Sequence, residues 1–392
     1  MAVLTRILVL NPGSSSLKAT VLEPPGRTPI TAASADWGAD ATRATGRPST
    51  ISAALEALEA GGVAASTIDA VGYRVVHGGT RFPGPAIVDD DTLEAIDALA
   101  PLAPLHNPVA ADTIRAARTA LPDVPHVACF DTAFHATLPP PAYRYPVPPA
   151  WYEAWGVRRF GFHGLSIAWS VTRASELLGR DPAEVRLVVA HLGSGCSVTA
   201  VDGGRSVDTS MGMTPLEGLM MGTRAGSIDP GILLALLREG RLTPDALGDA
   251  LDHGSGLLGV SGRSSDVRVL LDAERDGDDA AALALELFVS RAAAGIGAAA
   301  TALPALDALV FTGGIGEHSG RIRTRIVARL AALGVPPISD ADPDEDAILS
   351  DAPGAPSVLR IASREDVVIA DAVAVALGWS DPDRPDPVSF ER

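Results

Sequence analysis

The feature that most constrains this chain is a strand–turn–strand pattern that occurs twice. Residues 6–23, RILVLNPGSSSLKATVLE, open with an apolar run from Ile7 to Leu10, pass through Gly13 and three serines, and enter a second apolar stretch. A short apolar run bounded by a Gly/Ser cluster predicts a buried strand and a tight turn. Residues 185–201, VRLVVAHLGSGCSVTAV, repeat the pattern. With Asn11 set against His191, Val9 meets Val189, Gly13 meets Gly193, Ser14 meets Ser194 and Val21 meets Val201. Two unrelated buried hairpins could look alike. An offset of about 180 residues suits a duplication in which each half opens on a hairpin that grips something at its turn.

The rest of the pattern alternates strands with helices, which indicates α/β architecture. Val71–Val76 and Val124–Phe130 read as buried strands, while Thr50–Leu58, Asp91–Leu99 and Ala110–Ala120 read as helices. In the second half Pro230–Arg238, Ala280–Ala300 and Val367–Leu377 have helical composition, and Ala308–Phe311 is a short strand before a Gly-rich turn. The Pro-rich stretch from Pro139 to Pro149 suits neither a regular helix nor a central strand and is the expected passage between domains. At 392 residues the chain is long enough for two domains with their own cores. The expected division is 1–148 and 149–366, with a tail at 367–392 that packs back on the first domain.

Charge and composition exclude several function classes. The formal charge is −17, from 31 basic against 48 acidic residues. Nucleic-acid binding calls for a basic face that this balance does not supply, and any anion site must be built from a few local cations. The apolar run at Ile7–Leu10 is too short for a signal-peptide core. The longest uncharged apolar stretch, between Arg291 and Asp307, is shorter than a membrane span. Cys129 and Cys196 offer neither a disulfide framework nor metal-ligand spacing. A cytoplasmic protein without a membrane segment is expected. Lys18 is the single lysine, glutamine is absent, and Asn11 and Asn107 are the only asparagines. Chance survival is the plain alternative; all three nevertheless stand in segments that other arguments single out.

Four constellations carry chemistry. The turn Asn11-Pro-Gly-Ser-Ser-Ser-Leu-Lys18 exposes backbone N–H groups and hydroxyls that suit a phosphate. Its residue order is not that of a P-loop. Lys18 could place a compact positive charge near phosphate, and Asn11 offers a neutral oxygen to a metal. The second is the Gly-rich turn from Phe311 to Glu317, whose adjacent glycines let a ligand approach the backbone closely, as any Gly-rich turn would. The third is a set of polar residues in segments that do not read as helix: Arg74, His106, Asp131, His163 and Arg224. Each alone could be a satisfied structural residue. Together, two guanidiniums and an imidazole near glycines, with a carboxylate ending a buried strand, are what phosphoryl transfer requires. The fourth is Arg364-Glu365-Asp366, where the acids could favour a helix N-terminus through the dipole or could hold Mg²⁺.

Taken in order, NPGSSSLK, RVVHGG, LAPLHNP, FDTAFH, RFGFHG, HLGSGCS, MGTRAGSIDPG, SGRSSDVR and FTGGIGEHS resemble the acetate kinase family, within the superfamily of sugar kinases, heat-shock chaperone ATPases and actin. The resemblance covers residues 7 to about 370. It implies two ribonuclease-H-like (actin-like ATPase) domains with a duplicated core and an interdomain active-site cleft. It further implies that Asn11 and Glu365 help hold Mg²⁺, with Mn²⁺ as a substitute, and that Ser14, Ser16 and Lys18 lie in the first phosphate loop. Arg74 and Arg224 would embrace the acyl phosphate, His163 and Arg224 would stabilise the transition state, and Asp131 would orient its neighbours. His106 and His191 match histidines beside the phosphate path. Val76, Leu105, Phe162 and Pro215 would line the acyl pocket. Nucleotide would meet His191, Gly193, Ser194, Gly195, Asp266, Val267, Arg268, Gly313, Gly314, Ile315 and His318.

Some positions depart from the family pattern: Ser194 and His318 replace typical asparagines, Pro12 a typical alanine, and Ala225 a cysteine or serine. Ser227 replaces an acidic residue, and Arg364-Glu365-Asp366 stands for Asn-Glu-Glu. The implied reaction is reversible in-line transfer between ATP and acetate, giving ADP and acetyl phosphate. A carboxylate is already ionised near neutrality, so it needs no strong base. Propionate kinase is the nearest alternative, since a pocket discriminates by methylenes. A nucleotide-binding relative that transfers no acyl group, or a sugar kinase, stands further off. The family is usually a homodimer through its second domain.

Overall fold

In the computed structural model, which describes residues 5–13, 16–37 and 47–379, the chain divides into two compact units. The first comprises Met1–Ala136, Phe162–Trp169 and Arg364–Arg392; the second comprises Thr137–Gly161 and Ser170–Ser363.

Ile7, Leu8, Val9 and Leu10 are at most 1% exposed. A strand apolar on both faces belongs inside a sheet, and that is where the run lies. The first unit's meander is β1 (Ile7–Pro12), β2 (Ser16–Leu22) and β3 (Thr31–Asp36), followed by β4 (Ala70–Val75), β5 (Ala86–Ile87) and β6 (His126–Phe130). The sheet order is β3-β2-β1-β4-β6-β5, with β1, β4 and β6 parallel and the others antiparallel to their neighbours. Helices Arg47–Ala60 and Asn107–Ala120 pack together, and helix Glu365–Ala376 packs on β1 and β4.

The second unit repeats this plan. β7 (Arg186–Leu192), β8 (Cys196–Asp202) and β9 (Arg205–Thr209) form the meander, and β10 (Ala308–Thr312), β11 (Ala347–Ser350) and β12 (Ser357–Arg360) complete the sheet. Its order is β9-β8-β7-β10-β12-β11, again with a parallel centre and an antiparallel edge. Helix Asp279–Ala300 is long and apolar enough to cross a membrane on length and hydropathy alone. Its buried Ala281, Leu285, Phe288, Ala292, Ile296 and Ala299 recur at helical spacing and face the sheet, and it carries Asp279, Glu286 and Arg291. That is the pattern of a core helix.

The first unit's opening segment ends at Ala136, ahead of the Pro-rich stretch rather than within it. Two short helices, Pro140–Tyr143 and Pro149–Trp155, occupy that stretch, with proline in the first turn where its missing N–H costs nothing. Arg144 lies over the Tyr152 ring at 3.4 Å and Arg158 over Tyr143 at 4.0 Å, which gives the segment its own packing. The Gly-rich segment after β10 is likewise more regular than a turn: Gly313–His318 is helical, entered through Gly313 at φ 76.

Candidate active site

In the first unit, β4 carries Arg74 opposite Cys129 of β6, and Asp131 stands just beyond the end of β6. The two side chains meet at that sheet end. Arg74 Nη2 donates to Asp131 Oδ2 at 2.7 Å, and its Nε lies 3.1 and 3.2 Å from the two carboxylate oxygens. Glu365 opens its helix beside them, with Oε2 3.3 Å from Arg74 Nη1 and 2.8 Å from Asn11 Nδ2. Burial pulls Arg74 toward deprotonation, but the Asp131 and Glu365 carboxylates outweigh it and hold its pKa above the ordinary value. Burial pushes the Asp131 carboxyl up to about 6 against the pull of Arg74, so it is ionised at neutral pH.

His163 enters the same cluster through its backbone. Its φ is 58°, the one positive φ outside glycine among the described residues. Left-handed backbone is uncommon for a side chain of this size and marks an imposed conformation. Its N–H bonds to the Asp131 carboxylate, and its carbonyl accepts from Ile167 in the helix that follows. Gly164 makes this fit possible: a Cβ there would lie 2.0 Å from the Asp131 carbonyl oxygen. Lys18 is exposed on β2 directly across from Asn11, so the two share a face of the hairpin. Ser16 closes the turn by accepting from Gly13 N–H at 2.8 Å; Ser14 lies outside the described residues. Val76 and Phe162 are buried, while Leu105 is 39% exposed and His106 half-buried just before helix Asn107–Ala120.

The second unit gathers most of the expected nucleotide residues around one cavity. Gly193, Ser194, Asp266, Val267, Arg268, Gly314, Ile315 and His318 line a space of about 480 Å³, a volume that suits a small-molecule ligand. Asp266 caps the helix Val267–Arg275 by accepting from Arg268 N–H at 2.9 Å, and it pairs with the Arg268 guanidinium at 2.6 Å. Gly195 closes the second hairpin turn through a 3.0 Å bond from Gly193 N–H to its carbonyl. Gly313 stands against His191, whose Nε2 would lie 3.0 Å from a Cβ at that position. Arg224 donates to the Pro215 carbonyl at 2.7 Å, which joins two more of the expected residues. It is half-buried and forms no ion pair among the described residues; desolvation lowers its pKa, while Cys196 and Asp252 act to raise it. A guanidinium keeps its charge under such a shift. Burial pushes both Cys129 and Cys196 up to about 12, which makes neither a nucleophile.

Residues 6–371 match the Acetokinase family. The chain belongs to that family. An acetate kinase of Deinococcus radiodurans is 45% identical over 390 residues, covering 95% of this chain and 98% of the relative. Among solved structures, a propionate kinase from Francisella tularensis superposes with TM-score 0.86 at 35% identity, covering 94% of this chain and 98% of that one. Porphyromonas gingivalis acetate kinase does so with TM-score 0.84 at 33% identity, covering 95% and 100%. The acetokinase chain is thus an α/β phosphotransferase with two mixed six-stranded sheets.

Several residues beside these two clusters of the acetokinase chain escape sequence reasoning. Ser265 and Ser319 also line the cavity, each adjoining a motif already singled out. Arg323 has a fully buried side chain that donates to the carbonyls of Gly316 at 2.8 Å and Glu317 at 2.9 Å, and it pairs with Asp342 at 2.7 Å. It therefore braces the helix whose first residues form the cavity wall. His135 is buried with its pKa lowered to about 4 by desolvation, and its Nε2 bonds to the Phe162 carbonyl at 2.9 Å. Neutral His135 so fixes the backbone just before His163.

Proposed function

We propose that this chain is a cytoplasmic acetate kinase that moves a phosphoryl group reversibly between ATP and acetate by direct in-line transfer. The observation that carries this reading is Arg224, a half-buried cation bound to a carbonyl and without a carboxylate partner among the described residues. Such a group is stable where an anion comes and goes. The reading assigns the nucleotide to the cavity bounded by Gly193, Asp266 and Gly314. It assigns the carboxylate substrate to Arg74, Val76, Leu105, Phe162 and Pro215.

The acceptor carboxylate is already ionised, so the work is positioning and charge stabilisation. Arg74 is presented by Asp131, and the His163 ring would be aimed by a backbone that Asp131 also holds. These groups and Arg224 would stabilise the three oxygens of the phosphoryl group in transit. Asn11 and Glu365 touch each other and supply one carboxamide and one carboxylate, a donor pair that suits Mg²⁺ held mainly by phosphate and water. That ion would neutralise phosphate charge, and Mn²⁺ would serve in its place.

Helix Pro230–Arg238, PGILLALLR, buries no residue, and its Ile232 and Leu234 are 51% and 50% exposed. A second copy of the chain is the occupant proposed for this apolar face, giving a homodimer. Sedimentation of the wild type and of Ile232→Glu tests it.

The deciding experiment traps acyl phosphate as hydroxamate with ATP, Mg²⁺ and acetate, propionate or butyrate. Acetate should give the highest kcat/KM. A higher value for propionate selects a propionate kinase, the second reading, and product from none of the three acids sinks both.

A further inference from the structure

Asparagine survives twice in this chain, and the reading above uses only Asn11. Asn107 is 0% exposed at the first position of helix Asn107–Ala120. Its Oδ1 accepts from the backbone N–H of His77 at 3.0 Å, and its Nδ2 donates to the His77 carbonyl at 3.0 Å. One side-chain amide therefore does for His77 what a neighbouring strand does in a sheet. Aspartate could only accept, and an aliphatic residue would leave two buried backbone groups unmet.

His77 is itself 0% exposed and follows Val76 at the end of the β4 segment. Its Nδ1 accepts from Gly79 N–H at 3.0 Å, and its ring meets the Phe162 ring edge-on, with centroids 5.4 Å apart and planes at 68°. The node thus ties together three stretches of the first unit: the one ending in Val76, the one carrying Leu105 just before Asn107, and Phe162. These are the three side chains that the functional reading assigns to the acyl pocket on this unit.

We propose that Asn107, acting through His77, is the positioning residue that sets the spacing of Val76, Leu105 and Phe162 and thereby the chain length of the carboxylate accepted. The inference rests on the acetate kinase reading. A methylene in an apolar pocket changes selectivity by roughly 10- to 200-fold, so a small change in wall spacing is visible in kinetics.

The test compares wild type, Asn107→Asp and His77→Asn in kcat and KM for acetate, propionate and ATP, alongside unfolding midpoints. Asn107→Asp removes the donor to the His77 carbonyl at constant shape. His77→Asn can keep an acceptor for Gly79 while removing the ring from Phe162. In both, KM for acetate should rise about tenfold and the propionate-to-acetate ratio of kcat/KM should shift about tenfold, with KM for ATP within about twofold. A purely structural role predicts lower active fraction and no change in that ratio. An unmoved ratio in a folded variant overturns the proposal, and so does failure of both variants to fold, which would make the node structural. If the wild type itself forms no acyl phosphate, it is the functional reading that fails instead.

Discussion

Asp131→Asn separates the shape of the first unit's cluster from its charge. The amide keeps the volume and one acceptor of a side chain that Arg74 grips at 2.7, 3.1 and 3.2 Å. Removing one partner of a buried pair commonly costs about 3–5 kcal/mol. Two features of this site reduce that figure. The carboxyl is pushed up by burial against the pull of Arg74, so part of what the pair gains in the folded chain is already offset by the cost of keeping Asp131 ionised. A neutral amide does not bear that cost. Glu365, 3.3 Å from Arg74, also leaves the guanidinium a second carboxylate. The expected loss in unfolding free energy at neutral pH therefore falls below the ~3–5 kcal/mol of an ordinary broken buried pair.

Turnover should respond far more. The amide cannot hold Arg74 by charge and offers only one oxygen to both Arg74 and the His163 N–H, and groups aimed at a transferring phosphoryl are worth about 10²–10³-fold each. The pH profile supplies an independent reading. A carboxyl raised to about 6 loses its charge, and its grip on Arg74, as pH falls through that value, so wild-type kcat should drop on the acid side of about 6. Its contribution to stability has the opposite sense, greatest below the unfolded pKa and lost as pH rises through about 6. Asp131→Asn should thus abolish the acid limb of kcat, and its stability deficit should widen as pH falls from 6 toward 4. Hydroxamate kinetics and urea unfolding across that range measure both. Near-wild-type turnover, or an acid limb at an unchanged midpoint, would refute the reasoning.

Other perturbations follow from the same geometry. Arg224→Ala should lower kcat by about 10²–10³-fold at a cost of no more than about 1–3 kcal/mol in urea unfolding, since the side chain gives up one bond to the Pro215 carbonyl; near-normal turnover would remove Arg224 from the clamp. Gly164→Ala puts a Cβ 2.0 Å from the Asp131 carbonyl oxygen and 2.8 Å from Phe134 Cβ. Because backbone must move, the loss in urea unfolding should exceed the ~1–3 kcal/mol of ordinary overpacking, and unchanged stability would mean this segment shifts freely. Arg323→Met frees the Gly316 and Glu317 carbonyls. KM for ATP should rise about tenfold while KM for acetate stays fixed; equal changes in both would point to general loosening.

How much of this was legible in the sequence depends on whether the signal is local. The hairpins were, because continuous apolar runs and Gly/Ser turns are local signals. The offset read from Asn11 and His191 is borne out strand by strand, with Pro12 and Leu192, Ser16 and Cys196, and Leu22 and Asp202 in equivalent places. The convergence of Asn11, Arg74, Asp131 and Glu365 was not legible from spacing, since Asn11 and Glu365 stand 354 residues apart; residue type and resemblance pointed to them individually. Arg323 was hidden for another reason. In GRIRTR three arginines look alike, yet the side chains of Arg321, Arg323 and Arg325 are 49%, 0% and 25% exposed. Helical spacing stacks Arg323 on Val327 and beside Ile326, on the apolar face. The pattern was present, but a charged residue on an apolar face reads as an interruption unless its carbonyl and carboxylate partners are known.

Asp131 draws these strands of argument together. One carboxylate binds the Arg74 guanidinium and the backbone N–H of His163, and the latter holds a non-glycine residue at φ 58°. Backbone of that kind costs on the order of 1–3 kcal/mol and persists only where its surroundings fix it. Arg74 and His163 therefore share a support and cannot be treated as independent contributors. Removing Arg74 leaves Asp131 buried at 0% exposure without its main counter-charge, which favours the protonated form and weakens the hold on His163. Asp131→Asn acts on both from the other side. The two substitutions should consequently be strongly non-additive in a double-mutant cycle, with the pair together costing little more than either alone.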